Sequence, residues 1–199
     1  MIYCIADESY RRLDNKIART IVCIVEFSNL NLITKEFEEL LEIIEKDKVR
    51  FKNRLNKLHS SGVAAPEITY ITEYISKMRI NAKIYTKYIY DKSEKECKIE
   101  TMHLAVNHIT RLHKNKELFI EVESANEYIN SDLSKLFGNL GNKFALLPDI
   151  ILTAFLHTLD SESLKKSNNL NYNLLKEKIR LQVFALDKSY EYLDKTKRL

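Results

Sequence analysis

The stretch Ile2 to Ser9, IYCIADES, runs five mostly apolar residues straight into two adjacent acids, Asp7 and Glu8. A short apolar run closed by turn-type residues reads as a buried strand. A second run, IARTIVCIVEF from Ile17 to Phe27, is richer still in β-branched residues, and the polar span Glu8 to Lys16 between them suits a hairpin loop. The chain therefore opens on two strands, and the elements after Phe27 decide what they are joined to.

Thr34 is placed to cap a long helix with Glu36, Glu38 and Glu39 in its first turn. HSSGVAAPE interrupts it, and Pro66 suits the first turn of a second helix with Ile68, Ile71, Ile75 and Met78 on one face. NAKIYTKYIYD, from Asn81, is a third strand. Ser93 and Glu96 have the spacing of a capping box, which predicts a helix reaching about His113. LFIEVES, Leu118 to Ser124, is a fourth strand with Glu121 and Glu123 on one face and Ile120 and Val122 on the other. FALLPDIILTAFLHTLD is a nearly all-apolar helix with Pro148 in its first turn. Leu175, Ile179, Val183, Leu186, Tyr190 and Leu193 form the stripe of a last amphipathic helix. Strands linked by helical crossovers predict an α/β fold with a small mixed sheet.

The 199 residues suit one domain, with 45% hydrophobic and 30% charged residues. Three glycines and two prolines leave no room for a Gly-rich phosphate cradle. No run of ~20 apolar residues is present to span a bilayer. Charges at Asp7, Glu8, Arg11 and Arg12 break any leader pattern, and three cysteines match neither a disulfide framework nor a zinc spacing. The expected setting is cytoplasmic, without membrane. A net charge of +4 permits nucleic-acid binding without demanding it.

The acids carry the chemistry. Asp7 ends the first strand, Glu121 and Glu123 share a face of the fourth, and Asp149 opens a buried helix. Sites in α/β sheets form where strands end. If the first and fourth strands are neighbours, these carboxylates converge, with Glu8 as an additional ligand. Such acids repel one another unless a divalent cation joins them. Mg²⁺ or Mn²⁺ suits carboxylate oxygens and phosphate substrates. Each acid also has an ordinary role: Asp7 as a turn residue, Asp149 in a helix's first turn, Glu121 and Glu123 on a solvated face. His103, His108 and His113 recur every five residues, which is wrong for a same-face metal pair. His59 is either a helix-end residue or a proton carrier. The basic runs KDKVRFKNRLNK and RLHKNK read as solvated helix faces or as a phosphate-backbone groove.

IADES, FIEVES and ALLPDIILTAF, in that order, resemble the motifs of the bacterial domain-of-unknown-function family thirty-eight hundred, in the ribonuclease H-like superfamily. Asp7 matches the opening Asp, a glutamate stands for the later acid, and Asp149 matches the last motif. In KLH, His59 matches the family histidine and Lys57 replaces its acid. Tyr10 replaces the opening glycine. The resemblance implies an RNase H-like mixed sheet of about four to five strands over residues 1–160, with residues 161–199 as a C-terminal helical extension packed on it. It implies a divalent-metal-dependent nuclease acting on DNA or RNA, in defence against phage or mobile DNA. The expected catalytic set is Asp7, Glu121 or Glu123, Asp149 and His59, with Glu8 as an additional metal ligand. The alternative is a non-catalytic binding or scaffold component of a multi-protein defence complex, including a homo-oligomer.

Overall fold

The structure is a computed structural model that describes residues 1–13, 15–46, 65–122, 128, 137–141, 143–159 and 173–186. It is an α/β fold built on a mixed five-stranded sheet in the order β4-β1-β2-β3-β5. The strands are β1 (Ile2–Arg12), β2 (Ile17–Phe27), β3 (Asn81–Tyr90), β4 (Leu118–Val122) and β5 (Gln182–Ala185). The helices are α1 (Leu30–Lys46), α2 (Ala65–Ile75), α3 (Glu94–Leu112) and α4 (Leu146–Leu159). β1, β2 and β3 are antiparallel neighbours, while β4 runs parallel to β1 and β5 parallel to β3. Three antiparallel strands with a parallel β4 beside β1 are compatible with an RNase H-like arrangement.

Alternation along the strands splits the core in two. Ile5, Cys23, Val25, Ala82 and Ile84 face one way, under Phe37 and Leu40 of α1, Ile68 and Ile71 of α2, and Leu147, Ile150 and Ile151 of α4. Cys4, Ala6, Val22, Ile24 and Tyr85 face the other way, under Met102, Ala105, Val106 and Ile109 of α3. β2 sits at the centre, buried without a break from Thr20 to Phe27. That is why it reads as a continuous apolar run.

Local signals account for most boundaries. Ser93 accepts the Glu96 N–H while the Glu96 carboxylate accepts the Ser93 N–H, so the capping box opens α3 as expected. Pro66 lies in the first turn of α2. α1 begins earlier than Thr34, because the Asn29 side chain accepts the Leu32 N–H at 3.0 Å.

Two expectations are corrected. The residues after Ala6 are not a loop: β1 continues to Arg12 in unbroken register with β2, and the turn is confined to the residues between Arg12 and Ile17. Asp7 is therefore inside a strand. The last amphipathic helix is also replaced within the described residues, outside which Tyr190 and Leu193 of its stripe lie. A single π-helical turn, Leu174–Lys178, leads into β5, which pairs with β3 through Val183↔Ile84 and Phe184↔Tyr85. Residues 182–185 thus belong to the sheet itself. Burial of Leu175 and Ile179 explains the helical start of the stripe. Pairing with a strand far away in sequence overrides its continuation.

Candidate functional site

The expected neighbourhood of the first and fourth strands is present, with Ile5 beside Glu121 and Ala6 beside Val122. β4 stops at Val122 while β1 runs on, so Asp7 lies one position beyond its last pairing with β4. Asp7 pairs with Cys23 on β2 and shares the face of Ile5, under α4. Its Oδ1 accepts the Glu8 N–H at 2.8 Å, which sets the carboxylate along its own strand.

Asp149 lies in the first turn of α4, whose Leu147, Ile150 and Ile151 pack on the face that Asp7 shares. Burial drives the Cys23 thiol pKa well up, and the charges of Asp7 and then Asp149 push it further. The charges of a strand carboxylate and a helix carboxylate thus both act on one buried sulfur. The thiol stays protonated, so the donors offered there are hard carboxylate oxygens. Such donors suit Mg²⁺ or Mn²⁺, and Mg²⁺ is commonly held by one or two carboxylates plus substrate phosphate.

Glu121 occupies the same face at the row of Ile5 and is only 2% exposed. Its Oε1 accepts the Leu140 N–H at 2.7 Å. Gly138 makes that approach feasible: its N–H reaches the Ile120 carbonyl at 2.6 Å, and a Cβ there would sit 2.1 Å from the Phe119 ring. The carboxylate is thereby fixed to the segment that leads into α4.

Glu8 does not join this group. Adjacent strand residues point to opposite faces. Glu8 lies on the α3 side, where Lys98 Nζ stands 3.7 Å from its Oε1. Tyr10 follows the same alternation and packs with Ala18, Ile89 and Cys97, away from Asp7. The Tyr10 ring therefore points away from Asp7. Glu123, Lys57 and His59 lie outside the described residues, as does most of the first basic run. Among the described residues no group of three or more His, Cys, Asp or Glu side chains is gathered to hold a metal ion. No helix among them is long and apolar enough to cross a membrane.

Strand pairing also brings forward residues that the sequence reading does not single out. On the face of Asp7, the next rows toward the β1–β2 turn are Ser9, Ile21 and Thr86, then Arg11, Arg19 and Tyr88. Extending the alternation of β1 through Arg12 would have found Arg11. Arg19 and Tyr88 needed the register.

No protein-family model matches the chain. No curated protein and no solved structure gives a significant match to it.

Proposed function

We propose that the chain is a divalent-metal-dependent nuclease of RNase H-like fold, with Asp7 and Asp149 as the central metal ligands. What supports this reading is the position of Asp7 on β1 opposite Cys23 and of Asp149 in the first turn of α4, the helix that packs on that face of the sheet. Bound there, Mg²⁺ or Mn²⁺ would neutralise the phosphate and stabilise charge on the attacking and leaving oxygens. In the hydrolysis a P–O bond to water would form as the P–O bond to the sugar oxygen breaks, the water giving up a proton to solvent and the leaving oxygen taking one from it. The chain's part is to hold the acids still and keep them dry on one side. The Glu8 N–H orients Asp7, the Leu140 N–H fixes Glu121, and the buried Ile150 and Ile151 anchor the helix that carries Asp149 in the core. Glu123 and His59 keep their proposed roles as ligand and proton carrier. Action against phage or mobile DNA rests on the family resemblance alone.

A second reading is a non-catalytic RNase H-like component of a defence complex. It is favoured by the lack, among the described residues, of any gathered set of three metal-ligating side chains. The deciding experiment titrates Mn²⁺ calorimetrically and follows cleavage of labelled single-stranded DNA and RNA. Wild type, Asp7→Asn and Asp149→Asn are compared. The nuclease reading expects metal binding and EDTA-sensitive cleavage, both reduced at least about a hundredfold in either variant. Equal cleavage by all three proteins, or no metal binding by wild type, overturns it.

A further inference from the structure

β5 is the shortest strand of the sheet and lies at its edge, beside β3. On the α3 side it is held chiefly by one ring. Phe184 stacks on Tyr85 of β3 at 5.2 Å between centroids and meets His108 of α3 at 4.6 Å. The Tyr85 hydroxyl lies 3.0 Å from His108 Nδ1, so the three rings close on one another. Tyr85 is fully buried, while His108 and Phe184 are half-buried. The π-helical turn before the strand is anchored separately by the buried Leu175 and Ile179. We propose that β5 is a pH-sensitive clamp, in which Phe184, seated against Tyr85 and His108, holds the strand on β3 and a proton on His108 releases it. The clamp lies on the opposite face of the sheet from Asp7 and does not depend on the role of the acids there.

The neutral imidazole is the form that fits this seat. Tyr85 and Phe184 keep water from the ring, and a desolvated imidazole resists charging. Burial accordingly lowers the His108 pKa most, and the charges of Lys83 on β3 and Arg111 on α3 lower it further. No carboxylate among the described residues pairs with His108. Glu26 of β2 is engaged by Lys83 on one oxygen and by His113 on the other. Cys4 of β1 and Tyr85 keep their protons, because burial pushes both pKa values up, that of Cys4 to about 12. β5 itself, Gln182–Ala185, carries no titratable side chain. Hydrogen bonding points the same way. Neutral His108 offers Nδ1 as acceptor to the Tyr85 hydroxyl, whereas an imidazolium has hydrogens on both nitrogens and only donates. Protonation therefore leaves the buried Tyr85 O–H without its acceptor. A charged imidazole gains a little from the face of the Phe184 ring. Against that gain stand two cations, lost hydration and the orphaned hydroxyl. The imidazolium recovers its water by parting from Phe184, and the ring that seats β5 loses one of its two supports.

Because docking favours the neutral ring, undocking takes up a proton as pH falls below the ordinary imidazole value of about 6.5. The test is hydrogen exchange on the full chain, read as protection factors. The Leu186 N–H, which donates to the Thr86 carbonyl at 2.9 Å, reports on the end of the strand. From pH 7.5 to 5.5 the protection of β5 should fall about three- to tenfold in wild type. Low urea should leave that exchange almost unchanged, as a local opening does, while exchange of β2 follows the denaturant. His108→Gln, which stays neutral throughout, should hold β5 protection level across the same range. Linkage also runs in reverse. Phe184→Ala takes away the ring that shields the imidazole, so the His108 pKa followed by NMR titration should rise toward 6.5. An equal fall in His108→Gln, no fall in wild type, or β5 exchange that depends on urea as steeply as β2 overturns the clamp. So does a His108 pKa that Phe184→Ala leaves where it is.

Discussion

Lys83 Nζ stands 2.5 Å from Glu26 Oε1 inside the sheet's α3 face, with both residues under a tenth exposed. His113, which closes the C-terminal end of α3, brings Nε2 to 3.2 Å from the other oxygen of Glu26. Breaking one side of a buried pair leaves a charge without compensation, whereas removing both sides is far milder. Lys83→Met should lower unfolding stability by about 3–5 kcal/mol, and Lys83→Met/Glu26→Leu by clearly less. Urea unfolding of the two single variants and the double variant measures the difference.

Gly138→Ala should destabilise the protein by about 1–3 kcal/mol through overpacking against Phe119. Phe119→Leu in the same chain should recover part of that loss, because it removes the ring a new methyl would strike. Thermal unfolding of both variants tests the contact.

Glu121 has a structural task separable from any catalytic one. Glu121→Ala leaves the partly buried Leu140 N–H without its acceptor and should cost about 1–3 kcal/mol. Glu121→Gln retains an amide oxygen for that bond and should cost less than about 1 kcal/mol. If cleavage falls with Glu121→Gln at near-native stability, the charge itself is required. Denaturation and activity measured on the same preparations separate the two.

His108 gives a pH signature. Burial holds its pKa below the ordinary 6.5, and the charges of Lys83 and Arg111 lower it further. Tyr85, whose own pKa is pushed up by burial and by Glu26, keeps its proton and lies 3.0 Å from His108 Nδ1. Just below pH 6.5 the folded chain therefore binds fewer protons here than the unfolded chain. The His108 contribution is present above that pH, is lost as pH falls toward the folded value, and then levels off. The stability gap between wild type and His108→Gln should narrow as pH drops from about 7.5 to about 5.5, as urea midpoints across that range will show.

Features whose cause is local are legible in the sequence. The Ser93–Glu96 capping box, Pro66 in a first turn and the apolar run of β2 each carry their explanation within a few residues. β5 is illegible because Leu175, Ile179 and Val183 keep helical spacing, and only pairing with Ile84 and Tyr85 makes the later residues a strand. The site is half legible. Asp7 and Asp149 stand out by position; Asp7 pairs with Cys23 across the strands, and the charges of both acids push that thiol's pKa up. Glu8 misleads because a strand that ended at Asp7 would free the next residue from alternation, whereas mid-strand alternation sends it to the opposite face. Arg11, Arg19 and Tyr88 form a row only across three strands, and no window of one strand contains it.

The order of strands in the sheet also sets an order of assembly. β1 and β2 are joined by a short turn and can pair as soon as both exist. β2 then waits with its other edge open until β3, beginning at Asn81, arrives, and β1 waits longer for β4 at Leu118. During synthesis at ~5–20 residues per second, the most apolar strand of the molecule is a one-sided template for seconds. The sheet therefore grows from its middle outward. Its hazard in the cell is a misplaced neighbour on the edge of β2, and the helix α1, folding next in line with Ile33, Phe37 and Leu40 turned to the same face, is the first cover that nascent hairpin receives.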